Sequence, residues 1–298
     1  MWYIYRILIV VQSANYKIKV PMGTKGQNIT DAWAHLTTAK SRWNLADDGE
    51  IFKSHSSLLQ PVLYDGKQAM VKIPFSAEER RGCLLMVWYN GNGAAQVWEH
   101  DETAILMERA TGPLSLREMV LNGNEDEASR IICGVTAKLH TVSCAHSDML
   151  VPLTEWFKPL KLAADIHGGI LIKCTQVAEG LLSDPIDEVI LHGDIHHENI
   201  LHSAAGRWIA IDPKGLVGER VFDIANVFCN PDSETATSPA RLSRQVEVIA
   251  EAANLDPVRL LHWIIAWAGL SAAFALEDGE NPTTALAVAK IAENELGR

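Results

Sequence analysis

The part of the sequence with the clearest chemical content is the run Leu-His-Gly-Asp-Ile-His-His-Glu-Asn-Ile-Leu at 191–201, which is followed by Ile-Asp-Pro at 211–213. It contains Asp194, then Asn199 five residues later, and then Asp212 among apolar residues. Phosphoryl transfer from a metal-bound nucleotide needs mainly a base for the attacking hydroxyl and groups that hold the metal. Asp194 can accept the hydroxyl proton, while Asn199 and Asp212 offer the oxygen ligands that Mg²⁺ prefers. The pattern therefore predicts this chemistry.

Two short apolar runs must position these groups. Residues 189–191 and 208–211 have the composition of strands, and Asp194 and Asn199 lie on the loop after the first of them. We expect a hairpin-like return of the chain to bring Asp212 to the same place. The alternative is a turn rich in Asp, Asn and Gly that only ends the two strands.

Four histidines share this region, which raises the alternative of a zinc site. Zinc prefers tetrahedral nitrogen and sulfur ligands, and no cysteine pair with metal spacing lies nearby. We therefore expect packing or hydrogen bonding within the loop, above all for the first histidine. The four residues are His192, His196, His197 and His202.

The composition is that of an acidic globular protein with reduced thiols. Its 298 residues can bury a large core, and a hydrophobic content of 48% is ordinary for such a protein. The five cysteines are scattered and form no C-x-x-C pair, which indicates reduced thiols and a cytoplasmic location. A formal net charge of −11 argues against nucleic acid as a partner and favours a small cationic ligand. No feature implies a protein partner.

Two apolar segments raise the question of whether the chain crosses a membrane. Residues 1–11 are too short to cross a bilayer, are interrupted by Arg6 and are not followed by a clear cleavage site. We interpret residues 1–28 as a tail or a misread start, with Met22 as an alternative start. The later run 263–276 has a helical pattern, and at that length we expect a buried helix rather than a membrane span.

The chain divides into a small lobe rich in strands and a larger helical lobe. Alternating apolar runs separated by turn signals precede position 108, whereas helical periods dominate after position 112. We expect an α+β fold with an antiparallel-sheet lobe at 29–107, a hinge at 108–112 and a helical lobe at 113–298. The elements expected in the small lobe are strands at 50–55, 58–64, 68–74, 95–99 and 104–108 and a helix at 76–89.

Lys72 is a lone lysine on the apolar third strand of the small lobe. It is predicted to clamp nucleotide phosphates, because a compact ammonium suits point-charge contacts with phosphate oxygens. The alternative is a solvated strand face. Glu79 is the expected ion-pair partner, although the helix at 76–89 also begins with a capping box in which Glu79 would fold back. Glu78 is the second choice of partner.

The segment that covers the phosphates is expected at 55–57, ahead of that strand. It contains Ser56 and Ser57 and lacks the glycines of a protein-kinase loop. Hydroxyls or backbone amides would therefore have to contact the phosphates.

Three motifs together resemble a known family. His-Gly-Asp-Ile-His-His-Glu-Asn at 192–199, Ile-Asp-Pro-Lys-Gly-Leu-Val-Gly-Glu-Arg at 211–220 and Phe-Asp-Ile-Ala-Asn at 222–226 are similar to those of the aminoglycoside/hydroxyurea phosphotransferases. The strongest resemblance is to the streptomycin 6-phosphotransferases. It runs from about Trp43 to the C-terminus and does not cover residues 1–28.

The resemblance implies a protein-kinase-like bilobal fold that uses ATP and Mg²⁺. It assigns Asp194 as the catalytic base and gives Asn199 and Asp212 to the metal. It further implies that Lys72 contacts the ATP phosphates, that Glu79 pairs with Lys72, and that the backbone of Glu108 to Ala110 hydrogen-bonds adenine. Asp223 would brace the catalytic loop, although it could instead be a helix N-cap.

The acceptor is expected to be a small molecule docked on the helical lobe. Only ten residues separate Asp212 from Asp223, which leaves no long activation segment to seat a peptide. Streptomycin carries guanidinium groups, so a site typical of the family should be acidic, although each candidate acid could also be a solvated loop residue. Trp263 and Trp267 could wall this site or pack in the core. The candidate acids are Glu219, Asp223, Asp232, Glu277, Asp278 and Glu280.

Three hypotheses for the function remain open at this level. The first is an ATP-dependent kinase that inactivates streptomycin by phosphorylating a hydroxyl. The second is a kinase of the same fold with another small acceptor, such as hydroxyurea or a metabolite alcohol. The third is a non-catalytic nucleotide-binding protein, which the intact catalytic positions disfavour.

Overall fold

The computed structural model describes residues 25–54, 56–143 and 149–297. Residues 1–24 of the expected tail, including Met22, lie outside these ranges, as does His55 of the expected phosphate loop. Within them the chain forms an antiparallel-sheet lobe followed by a helical lobe, as the sequence predicts.

The small lobe is built on one antiparallel sheet with the strand order β1-β3-β4-β6-β5, in which β2 pairs with β3. The expected helix α2, Ala77–Tyr89, lies between β4 and β5, and Ser76 caps it by accepting a hydrogen bond from the Glu79 backbone. The strands are β1 Ala46–Asp47, β2 Phe52–Lys53, β3 Ser57–Tyr64, β4 Lys67–Pro74, β5 Val97–His100 and β6 Ile105–Glu108.

Helix α1, Lys25–Arg42, begins inside the segment that we expected to be a tail. Its Ala32, Leu36 and Ala39 are buried at spacings of four and three residues, and they belong to the same apolar cluster as Val71 of β4. The tail interpretation is therefore wrong from Lys25 onwards. The small residues on this face made the helical period inconspicuous in the sequence.

The large lobe is mainly helical. Its helices are α3 Leu116–Leu121, α4 Glu125–Leu139, α5 Leu153–Trp156, α6 Lys158–His167, α7 Ile170–Ser183, α8 Val221–Ala225, α9 Ser233–Ala236, α10 Pro239–Ala253, α11 Pro257–Asp278 and α12 Thr283–Leu296. A 3-10 turn, Asn226–Cys229, follows α8 directly.

Helix α11 is the central helix of this lobe. Asp256 caps its first turn by accepting from the Arg259 backbone at 2.7 Å, and Pro257 occupies the first turn. By length and composition alone it could cross a membrane, but 78% of its most apolar window is buried within the protein. It packs against α6, α7, α8 and α12. The expectation of a buried helix is confirmed.

Two strand pairs position the polar loop. Strand β8, Glu188–Leu191, pairs with β11, Leu216–Glu219, which also pairs with the short strand β7, Val151–Pro152. Strand β9, Ile200–His202, forms a hairpin with β10, Trp208–Ala210. The two strands expected from the sequence are therefore β8 and β10, and they pair with other strands rather than with each other. The missed strand β9 is only three residues long, too short to show a strand period. It still brings the end of β10 back beside the loop that follows β8.

Candidate active site

The catalytic loop at 192–199 is held by Asp223 of α8. The Asp223 carboxylate accepts from the backbone N–H groups of His192 at 2.9 Å and Gly193 at 2.7 Å, and it lies 2.8 Å from the His140 ring. Asp223 is fully buried and makes no cap bond to its own helix. It braces the loop, so its inclusion among the acceptor-site acids is wrong.

Gly193 is required by the geometry of this loop. Its φ is +86°, and a Cβ at this position would lie 2.9 Å from the Leu216 side chain and 3.0 Å from that of Lys214. The loop therefore passes too close to the segment after Asp212 for any larger residue.

The histidines of this region contact groups of the protein itself or are buried. The His192 ring lies 2.9 Å from the Ile211 carbonyl oxygen and accepts from the Asp194 backbone at 3.2 Å. The His202 ring contacts the Trp208 ring in a tilted arrangement, with the ring centroids 4.9 Å apart. Burial lowers the pKa of His192 and lowers that of His197 further still. No group of three or more metal-binding His, Cys, Asp or Glu side chains occurs in the described ranges.

The two oxygens of the Asp194 carboxylate have different surroundings. Oδ1 accepts from the Asn226 side-chain amide at 3.0 Å, whereas Oδ2 is buried with no hydrogen-bond partner among the described residues. The Lys214 ammonium lies 3.6 Å from Oδ2. A buried oxygen without a donor can accept a proton, so this geometry suits a base for an incoming hydroxyl.

Asn199 and Asp212 lie on neighbouring segments beside Asp194. The Asn199 amide nitrogen donates to the Asp194 carbonyl at 2.9 Å, so its oxygen is the atom left to face a ligand. The Asn199 backbone carbonyl accepts from Ile211 at 2.9 Å, next to Asp212. One amide oxygen and one carboxylate form a donor set that suits Mg²⁺, which commonly takes few protein ligands and completes its shell with phosphates and water.

Lys72 of β4 joins the two lobes. Its ammonium forms a short ion pair with Glu79 and lies 2.5 Å from Asp212 Oδ1. Burial alone would lower the Lys72 pKa, but Asp212 and Glu79 outweigh burial and raise it well above its ordinary value. Burial would likewise raise the Asp212 pKa, but Lys72 and Lys214 lower it below its ordinary value. Both groups are therefore charged at neutral pH.

The serines of the expected phosphate loop lie against Glu79. The Ser56 hydroxyl donates to Glu79 at 2.8 Å and the Ser57 hydroxyl at 3.2 Å. Glu79 thus accepts from two hydroxyls in addition to pairing with Lys72. In this arrangement the hydroxyls fix the ion pair, and the backbone N–H groups of Ser56 and Ser57 donate to the Ser54 hydroxyl at 3.3 and 2.9 Å. A phosphate contact from this segment would therefore have to replace one of these bonds.

Lys214 is a site residue that the sequence analysis missed. It is buried, and its ammonium lies within 4 Å of three carboxylates, at 3.6 Å from Asp194, 3.8 Å from Glu78 and 3.9 Å from Asp212. Burial would lower its pKa, but Asp212 and Asp194 raise it. No strand period marks Lys214 in the sequence, because Asp212 has a φ of +63° and residues 211–215 do not form a strand.

Helix α2 docks directly on the segment that carries Lys214. The Arg81 side chain donates to the Lys214 carbonyl at 3.1 Å. A Cβ on Gly82 would lie only 2.2 Å from the Pro213 carbonyl oxygen, so glycine is needed for this approach. The contact fixes α2, and with it Glu79, relative to Asp212.

The expected adenine segment lies where β6 ends. The Glu108 backbone N–H donates to the Gln96 carbonyl at 2.8 Å, and the Glu108 side chain pairs with Arg207 at 2.8 Å. Ala110 follows β6 and packs against the apolar core. The Glu108 side chain therefore pairs with the large lobe. A hydrogen bond from this segment to adenine would have to come from the backbone at 108–110.

Most of the candidate acceptor acids lie elsewhere. Glu219 is buried and accepts from Arg259 at 2.5 Å, from the Trp263 indole at 2.8 Å and from the Ile186 backbone at 3.1 Å. Asp232 caps α9 by accepting from Thr235 at 2.9 Å. Glu219 joins α11 to the rest of the lobe and Asp232 caps its own helix, and neither acid lines the cavity beside Asp194.

A cavity of about 150 Å³ opens beside Asp194. Glu280, just beyond the end of α11, is the only candidate acceptor acid that lines it, while Glu277 and Asp278 do not. A smaller apolar cavity also includes Asp194 and is walled by Trp267, whereas Trp263 is fully buried. The residues around the larger cavity are Asp194, His196, Asn226, Cys229, Asn230, Ser271, Ala275, Glu280, Asn281, Pro282, Thr284 and Ala285.

Residues 42–279 match the family model described as aminoglycoside/hydroxyurea antibiotic resistance kinase. The chain belongs to this family. It is therefore a kinase that acts on an alcohol acceptor, and the match begins within one residue of the start of the resemblance noted in the sequence.

Two named relatives of this kinase define its place in the family more finely. A streptomycin 3''-kinase of Klebsiella pneumoniae is 43% identical over 243 residues, which cover 80% of this chain and 91% of the relative. A streptomycin 6-kinase of Streptomyces griseus is 31% identical over 270 residues, which cover 85% of each chain. The family inferred from the motifs is confirmed, but the preference for the 6-phosphotransferases is wrong, since the 3''-kinase is more similar.

A solved structure confirms the fold. A thermostable mutant of aminoglycoside phosphotransferase APH(4)-Ia, in a ternary complex with ADP and hygromycin B, superposes with a TM-score of 0.57. The two proteins are 13% identical, and the alignment covers 87% of this chain and 97% of the other. The kinase thus has the protein-kinase-like fold of the aminoglycoside phosphotransferases, as expected from its two lobes.

Proposed function

We propose that this kinase transfers the γ-phosphoryl group of ATP to the 3''-hydroxyl of streptomycin and thereby inactivates the antibiotic. The observation that carries the proposal is the buried Asp194 Oδ2, which accepts no hydrogen bond from the described residues and belongs to a residue that lines the cavity containing Glu280. The greater identity with a streptomycin 3''-kinase than with a 6-kinase supports both the acceptor and the choice of hydroxyl.

On the nucleotide side, Lys72 binds the ATP phosphates and Glu79 holds Lys72 in place. Support comes from the paired ammonium, which the Ser56 and Ser57 hydroxyls stabilise through Glu79. Asn199 and Asp212 would hold Mg²⁺, which would neutralise the charge of the phosphates when bound. Phosphate oxygens can replace Asp212 as the partner of Lys72, which leaves the Asp212 carboxylate for the metal. The backbone at 108–110 hydrogen-bonds adenine.

In the chemical step, the acceptor oxygen attacks the γ-phosphorus while its proton passes to Asp194 Oδ2. The new oxygen–phosphorus bond forms as the bond to the leaving ADP oxygen breaks, and Asp194 later releases the proton to solvent. Lys214 lies 3.6 Å from Oδ2, where its positive charge can stabilise both the ionised base and the transferring phosphoryl group.

On the acceptor side, the cavity takes part of streptomycin rather than all of it. Its volume of about 150 Å³ is below the roughly 300–1,000 Å³ typical of sites that enclose a ligand. One ring can therefore enter while the others lie at the open mouth. Glu280 is exposed at this mouth and provides a carboxylate for a guanidinium group.

The proposal is tested by identifying the product. Purified protein is incubated with Mg-ATP and streptomycin, and the phosphate position is assigned by two-dimensional phosphorus–proton NMR. Coupling of phosphorus to the proton at carbon 3'' is expected. Coupling at carbon 6 would contradict the choice of hydroxyl and leave the kinase intact. Phosphorylation of hydroxyurea, run alongside, with none of streptomycin would contradict the acceptor.

A further inference from the structure

The residue with the most specific contact to Asp194 is Asn226, the first residue of the 3-10 turn after α8. It is buried, and its side-chain nitrogen donates to Asp194 Oδ1 at 3.0 Å. Oδ2 of the same carboxylate has no hydrogen-bond partner among the described residues. Oδ1 is thus held by a hydrogen bond, and Oδ2 is left to accept a proton. The contact with Asn226 determines which of the two oxygens is held.

The direction of the Asn226 amide is set by its neighbour Asn230. The Asn230 side-chain nitrogen donates at 3.0 Å to the Asn226 backbone carbonyl, which can only accept. The same nitrogen lies 3.0 Å from the Asn226 side chain, which must therefore present its oxygen there. The Asn226 nitrogen is then the atom that faces Asp194. Asn230 determines the orientation of Asn226, and Asn226 determines that of Asp194.

The turn that carries both amides is fastened from outside by Arg241 of α10. Its guanidinium donates to the backbone carbonyls of Val227 at 3.3 Å, Phe228 at 3.0 Å and Asn230 at 2.9 Å. Glu125 of α4 pairs with the same guanidinium at 2.6 Å. A donor held on a rigid support can keep a catalytic group in its productive geometry, where small displacements are costly.

We propose that Asn226 is a positioning residue, which acts on catalysis by fixing the Asp194 carboxylate so that Oδ2 accepts the acceptor proton. This inference deepens the proposed function and rests on Asp194 being the base. The competing role is direct acceptor binding, because Asn226 also lines the cavity. The two roles differ in kinetics: a positioning residue lowers kcat, whereas a binding residue raises the KM for the acceptor.

The first test is steady-state kinetics of Asn226→Ala with Mg-ATP and streptomycin. We expect kcat to fall by about 10- to 100-fold, with both KM values within about twofold of wild type, in a variant that thermal unfolding shows to be folded at the assay temperature. Glu280→Gln is the matched comparison, since it should raise the streptomycin KM and leave kcat nearly unchanged. A raised streptomycin KM for Asn226→Ala with an unaltered kcat would overturn the proposal.

The second test is a double-mutant cycle with Asp194→Asn. A residue that acts only through the carboxylate has nothing left to position once that carboxylate is gone. Asn226→Ala should therefore change the residual rate of Asp194→Asn by less than about twofold. A loss of the same factor in both backgrounds would show a general structural effect and refute the positioning role.

Asn230→Ala keeps the proposal testable if Asn226→Ala fails to fold. It removes the group that orients the Asn226 amide and should lower kcat by about threefold or more without raising either KM. An unchanged kcat in the folded variant would contradict the inference that Asn230 orients Asn226 and that Asn226 in turn orients Asp194. If wild type does not phosphorylate streptomycin, the proposed acceptor fails, and the same cycle is run on Mg-ATP hydrolysis, where water accepts the phosphoryl group.

Discussion

The two sides of the site differ in how they use charge. On the nucleotide side, Lys72, Glu79, Asp212 and Lys214 form one buried cluster in which every charge has an opposite neighbour within 4 Å. On the acceptor side the cavity is lined largely by amides and small residues, with Glu280 as its exposed carboxylate. Preformed charge suits a ligand common to all kinases of the fold, whereas neutral donors and acceptors suit a variable acceptor.

The two sides also differ in how firmly their side chains are held. The pair of Lys72 with Glu79 is held by hydrogen bonds from Ser56 and Ser57 and by the docking of α2 on Pro213, so contacts within the protein fix the charges of the nucleotide side. Preorganised charge avoids reorganisation during the reaction. Changes on the nucleotide side should therefore affect rate strongly, while changes at the mouth of the cavity should affect acceptor affinity modestly.

The largest effect short of removing the base is expected for Lys72→Met. The change removes a phosphate contact and leaves Glu79 and Asp212 without their shared cation, so we expect kcat/KM for ATP to fall by about 100- to 1,000-fold. Initial rates at varied ATP measure the loss, and thermal unfolding separates it from destabilisation. A fall below threefold would show that the cluster is structural only.

Lys214→Met is expected to have the next largest effect. Removing the ammonium next to Asp194 and Asp212 should lower kcat by about tenfold or more, because charge developing on the phosphoryl group loses a partner. Lys214→Arg is the control, since it retains a cation and should recover part of the rate. Equal losses in both variants would indicate that packing, not charge, explains the effect.

A pH test asks whether the catalytic loop behaves as part of the buried region. Burial lowers the His197 pKa in the folded state, so the unfolded state binds the proton more readily below its pKa of about 6.5. The contribution of His197 to stability should be complete above that pH and fall as the pH drops below it, by at most about 1.4 kcal/mol per pH unit from this one group.

The variant His197→Phe identifies the group responsible for this slope. Both ring nitrogens of His197 lack hydrogen-bond partners among the described residues, so a phenyl ring of similar size loses no bond. Denaturant unfolding at pH 7.5 and 5.5 should show a smaller loss in the variant than in wild type. Identical losses would place the titrating group elsewhere.

The smallest effect is expected for Glu280→Gln at the mouth of the cavity. An exposed ion pair contributes under about 1 kcal/mol, so the streptomycin KM should rise by about two- to fivefold while the ATP KM stays constant. Added salt should weaken streptomycin binding in wild type more than in the variant. Asp278→Asn, which removes a charge outside the cavity, is the control and should leave the streptomycin KM unchanged.

The nucleotide side was largely predictable from the sequence, and the acceptor side was not. Asp194, Asn199 and Asp212 lie within 19 residues of each other, so their spacing alone indicates a shared site. The pairing of Lys72 with Glu79 also follows from a strand and the helix after it. The acceptor cavity instead collects residues from 194 to 285, and no local pattern marks which acids reach it.

Two errors illustrate the same limit. Glu219 was a candidate for the acceptor site because its side chain is acidic. It lies at the end of β11, where Arg259 and Trp263 of α11 enclose it. Asn226 carries no charge, so its residue type alone predicts no role, although it contacts the Asp194 carboxylate directly. Both outcomes depend on contacts between segments more than 30 residues apart in the chain.

The most direct test of the central claim is streptomycin-dependent ADP release by wild type and Asp194→Asn, with ATP affinity measured calorimetrically for both. We predict that streptomycin stimulates turnover in wild type and that the variant loses at least about 100-fold of it while binding ATP normally. Unchanged turnover in Asp194→Asn would contradict the account, because another group would then be taking the acceptor proton.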